Sequence, residues 1–77
     1  MKLELDPKTG KVTLYGREIR EGTRLIVTMD EKSYPYRRRY SCWLAYDSER
    51  GRYFFIMGGV EHPKVDNVFE CDVDFDV

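Results

Sequence analysis

Residues 69–77 alternate without a break. Phe69, Cys71, Val73, Phe75 and Val77 take every second position, and Glu70, Asp72, Asp74 and Asp76 fill the places between. Successive side chains of an extended chain point to opposite faces. A period of two over this length therefore predicts a strand with an apolar face to bury and a row of carboxylates left in water.

The rest of the chain reads in the same way. Leu3 and Leu5 alternate with Lys2, Glu4 and Asp6, and Val12 and Leu14 alternate with Lys11, Thr13 and Tyr15. Between them, Asp6-Pro7-Lys8-Thr9-Gly10 supplies a proline preset for a turn and a terminal glycine, which predicts a β-hairpin. Arg17 to Gly22 is polar but for Ile19 and predicts a turn or one 3₁₀ turn. Arg24 to Asp30 places Leu25, Val27 and Met29 on one face and Ile26 and Thr28 on the other. Arg37 to Tyr46 sets Tyr40, Cys42, Leu44 and Tyr46 against Arg39, Ser41, Trp43 and Ala45. Asp47 to Gly51 is a hairpin loop. Arg52 to Met57 is apolar on both faces, the mark of a central strand. Gly58-Gly59 breaks it, and Val60 to Asn67, which contains Pro63, reads as a loop.

The expectation is an all-β fold of about six strands, closed or half-open as a small SH3-like or OB-like barrel, because closure removes exposed sheet edges. The 77 residues leave room for one domain, residues 1–77. Six tyrosines, four phenylalanines and one tryptophan argue against disorder. A core this small rarely contributes more than about 3–5 kcal/mol net and leaves little for a deep catalytic pocket. No run of about 18 apolar residues suggests a membrane span, and the acidic start Met1-Lys2-Leu3-Glu4-Leu5-Asp6 is unlike a secretory signal, so a cytoplasmic location is expected.

The net charge of −1 hides an asymmetry. From residue 61 onward, Lys64 stands alone against Glu61, Asp66, Glu70, Asp72, Asp74 and Asp76, so the positive excess lies in the preceding residues. Two surfaces of opposite sign would steer partners to one side. The acidic face Glu70, Asp72, Asp74 and Asp76 either keeps an edge strand soluble, paired with neighbouring arginines, or docks a basic partner or mimics nucleic-acid phosphates. The second constellation is Tyr34-Pro35-Tyr36-Arg37-Arg38-Arg39-Tyr40. Arginine and tyrosine are enriched at binding hot spots, and the same pairing of rings and guanidinium groups suits single-stranded nucleic acid. Its partner-binding residues are then Tyr34, Tyr36, Arg37, Arg38, Arg39 and Tyr40, joined by Trp43 if that ring is exposed rather than in the core. The sequence pI near 5.8 counts against nucleic acid.

Cys42 and Cys71 lack the close paired spacing, about two to four residues, of zinc ligands. They read as small buried residues, bridged only if their strands are neighbours. His62 precedes Pro63, which biases it to an extended loop. No catalytic residue, metal or cofactor is expected, since no nucleophile–base pair or phosphate-cradling loop is present.

From Tyr15-Gly16 through Ile19, Gly22, Val27, Trp43 and Gly51 to Gly58, the chain resembles small bacterial SH3-like domains of unknown function, found largely in phages and other mobile elements. The resemblance implies a barrel and a mobile-element origin. Those domains often carry a His-Cys pair before the glycine that here is Gly22; this chain has Arg20-Glu21, so no ligand role carries over. The function expected is a non-enzymatic protein-binding module, of the kind a phage or mobile-element inhibitor uses to dock on a host complex. The alternative is a single-stranded nucleic-acid-binding barrel.

Overall fold

The computed structural model describes residues 1–30 and 37–76. The fold is all-β. Eight strands form among the described residues: β1 Glu4–Leu5, β2 Val12–Leu14, β3 Arg17–Ile19, β4 Arg24–Met29, β5 Arg38–Asp47, β6 Arg52–Met57, β7 Val60–Glu61 and β8 Asp72–Phe75. They make two antiparallel sheets, β1-β2-β3 and β7-β6-β5-β4-β8, rather than one closed barrel. The small sheet lies over one face of the large one, and the core fills the space between. Leu3, Val12, Leu14 and Ile19 come from the small layer. Leu25, Val27, Cys42, Leu44, Phe55 and Val73 come from the inner face of the large one, and Val65 and Val68 close its end.

Two strands occupy segments that read as a turn and a loop. The chain reverses at Tyr15-Gly16 with φ of 52° and 75°, and β3 then pairs Arg17 with Leu14 and Ile19 with Val12. Positive φ at both central residues is the two-residue turn that matches strand twist. Its usual Asn-Gly or Asp-Gly signature is missing because tyrosine takes the first place. Gly58-Gly59, with φ of 64° and 85°, does not end the sheet but turns β6 into β7, pairing Met57 with Val60.

The terminal segment differs from expectation at its start. Val68–Glu70 is a 3₁₀ turn, capped by the Asn67 side chain, which accepts the Phe69 amide at 3.0 Å. The strand proper is β8, so Glu70 lies on the turn, and Val77 is outside the described residues. Across Asp72–Phe75 the alternation holds: Val73 is buried and Asp74 exposed. Beyond β8 the Asp76 amide still donates to the Arg24 carbonyl at 3.3 Å, so the segment continues alongside β4.

Candidate functional site

The register of the large sheet decides which side chains share its outer face. Arg24 faces Trp43, which faces Ile56, which faces Glu61. Asp74 faces Ile26, which faces Ser41. Ala45 faces Phe54, and Asp47 faces Arg52. Directly opposed residues lie on one side of a sheet. Ile26, Trp43, Ala45, Phe54 and Ile56 therefore form one apolar strip across β4, β5 and β6. None of the five is buried, whereas Leu25, Val27, Cys42, Leu44 and Phe55 on the opposite face are 0–1% exposed. Trp43, at 47% exposure, stands in the middle of the strip. The core alternative for this tryptophan is thereby corrected: the odd-numbered face of β5 looks outward, and the core takes the even-numbered one.

Acids border the strip along both edges. On the β8 side, Asp72 accepts the Met1 amine at 2.6 Å and meets Arg37 at 3.2 Å. The amine's hydrogen bond and charge, followed by Arg37, hold the Asp72 carboxyl below its ordinary value of 3.8. Asp74 accepts the Phe75 amide at 2.8 Å, and among the described residues no cation stands within ion-pair reach of it. Partial desolvation, then the charge of Asp74, pushes the Tyr15 hydroxyl above its ordinary value. Asp76 accepts the Ser41 hydroxyl at 2.7 Å and lies 3.8 Å from Arg24. On the β7 side, Glu61 takes Arg52 at 2.8 Å. Pairs as open to water as these are screened by solvent and salt, so they arrange charge more than they hold the fold.

The Arg/Tyr constellation is divided by the same alternation. Arg37 bridges Asp30 and Asp72, both at 3.2 Å, so it neutralises part of the acidic face. Arg38 turns to the inner side and lies over the Tyr40 ring, 5.5 Å from its centroid. Tyr40 packs against the core and meets the His62 ring edge-on at 5.0 Å. Arg39 shares the outer face with Trp43, two rows away. Tyr34 and Tyr36 lie outside the described residues. The structure thus gathers Arg39, Trp43, Asp72, Asp74 and Asp76 on one face and sets Arg38, Tyr40 and Glu70 apart from it.

Ile26, Ala45, Phe54 and Ile56 were not among the sequence-derived site residues. The signal for two of them was present: Arg52 to Met57 is apolar on both sides, and the structure covers one.

His62 and the two cysteines are wholly or partly enclosed in the fold. His62 is 1% exposed, and its Nδ1 accepts the Lys64 amide at 3.2 Å. Cys42 and Cys71 are free thiols, the first buried and the second half-buried. Among the described residues, no group of three or more His, Cys, Asp or Glu could hold a metal ion, and no helix is long and apolar enough to cross a membrane. Comparison with protein-family models, curated proteins and solved structures finds no match to this chain.

Proposed function

We propose that this chain is a non-enzymatic protein-binding module whose outer sheet face docks a segment with an apolar centre and a basic flank. One observation carries the reading: the strip Ile26, Trp43, Ala45, Phe54 and Ile56 has no layer of described residues over it, whereas Leu25, Val27, Cys42, Leu44 and Phe55 on the opposite face are buried. A contiguous apolar patch with a polar rim marks an interaction surface, and tryptophan is the residue most often found at the energetic centre of one. Asp74, the edge carboxylate with no cation in ion-pair reach among the described residues, favours a basic group on that side of the partner. Kinship with SH3-like mobile-element domains, and an inhibitory role on a host complex, belong to this same proposal. So does the expectation that the large and small sheets are halves of an opened barrel.

The test is affinity capture from source cells with wild-type and Trp43→Ala protein immobilised in parallel. Trp43 lies outside the core, so circular dichroism of the variant stays that of wild type. Loss of a central tryptophan of about 2 kcal/mol or more weakens capture of a specific partner roughly thirtyfold. Identical captured sets would remove this face from consideration. Labelled single-stranded oligonucleotides provide the opposing arm: tight binding at low salt that collapses as salt rises would replace the proposal with a nucleic-acid one.

A further inference from the structure

A second surface lies on the other side of the large sheet, at the far end of the β5–β6 hairpin. There Leu5, Tyr46, Tyr53 and Phe69, with Arg52 and Asp66 at the margin, line an open cleft of about 590 Å³. Tyr46 and Tyr53 are a directly opposed pair on β5 and β6, with ring centroids 4.7 Å apart and planes tilted by 55°. Phe69 meets Tyr53 at 6.1 Å and 89°. The three rings line the same cleft, with Tyr53 tilted against Tyr46 and edge-on to Phe69. Tyr46 keeps 42% of its surface in water.

We infer that this cleft binds an alkylated ammonium group. Aromatic faces carry negative potential, and several rings around one point attract a cation. Asp66 adds a full negative charge to the same wall. Among the described residues Arg52 is the one cation of that wall, and it is committed elsewhere: a single guanidinium nitrogen reaches Glu61 Oε1 at 2.8 Å and Oε2 at 2.9 Å. The Arg52 guanidinium also lies 5.7 Å from the centre of the Phe54 ring, which belongs to the outer face. An anion would therefore meet Asp66 and a neutralised arginine, while a neutral ligand would leave Asp66 unanswered. Methylation decides between kinds of cation. A bare ammonium is strongly hydrated and gives up water reluctantly, whereas methyl groups spread the charge and pack against Leu5 and the rings.

The experiment follows the ring protons of Tyr46, Tyr53 and Phe69 by NMR during titration with choline and with its uncharged isostere 3,3-dimethylbutan-1-ol. A tripeptide centred on trimethyllysine and its unmodified counterpart form a second pair. Choline or the methylated peptide shifts these protons saturably, at least about tenfold more tightly than the uncharged isostere and the bare lysine peptide, respectively. Whichever of the two binds more tightly identifies a free ligand or a modified side chain as the source of the group. Tyr46→Ala and Asp66→Asn each weaken binding about fivefold, Tyr46→Phe retains it, and Trp43→Ala leaves it unchanged, separating this cleft from the outer face. Equal affinity for the isostere, no saturable shift with either methylated probe, or binding indifferent to both Tyr46→Ala and Asp66→Asn would overturn the inference.

Discussion

Cys42 illustrates how a single side chain couples burial to solution conditions. Burial, and then the nearness of Cys71, pushes its thiol from the ordinary 9.0 up to about 11. The folded chain thus holds this proton more tightly than the unfolded one. Its contribution to stability is complete below pH 9.0 and lost as pH rises toward about 11. Cys42→Ala, which costs about 1 kcal/mol at neutral pH, isolates the effect, because every other titrating group is shared. The gap between wild-type and variant urea midpoints should narrow across that window; a constant gap would show that the fold does not resist ionisation at this site. Asp72 works with the opposite sign: its lowered carboxyl contributes above pH 3.8, and the contribution fades as pH falls through the lower, folded value. At this scale the sequence was informative about chemistry and mute about direction. The absence of zinc spacing around the cysteines was readable, whereas the outward turn of Trp43 required knowing which face of β5 the small sheet covers.

The longer strands announced themselves, as did the short β1–β2 hairpin through its Asp6–Gly10 turn, whereas two other short strands did not. β4, β5 and β6 lie within a residue of where alternation placed them, because each has enough positions for a period of two to stand out. β3 and β7, with three and two residues, are defined by their turns instead. The overextended reading of the last strand has a physical cause as well. Phe69 and Cys71 keep the alternating pattern, but the Asn67 side chain captures the Phe69 amide and bends the chain into a 3₁₀ turn before pairing with β4 begins. The spacing Asn67 to Glu70 resembles a capping box and was the overlooked signal. The turn joining β2 to β3 can be tested cleanly. A Cβ at Gly16 would meet nothing within 4 Å, so Gly16→Ala carries only the penalty of a positive φ. We expect a loss of about 1–2 kcal/mol, read as a lower urea midpoint with an unchanged slope. No loss would mean that the hairpin tolerates another turn.

The whole molecule is one thin core shared by two sheets, and neither layer buries its apolar side alone. Phe55, 1% exposed, is the largest side chain fully enclosed between them. Truncating such a residue to alanine costs about 3–5 kcal/mol, comparable to the entire stability of a domain this size. Phe55→Ala should therefore be unfolded by circular dichroism at room temperature. Phe55→Leu should remain folded and melt in one transition reported alike by Trp43 fluorescence and by far-ultraviolet signal. Two separate transitions would mean that the layers are independent. The carboxylates beside the uncovered strip carry one last consequence. Two copies approaching with these faces in parallel would bring like charges together before their aromatic centres could touch. The border that would welcome a basic visitor thus also discourages the protein from adhering to itself.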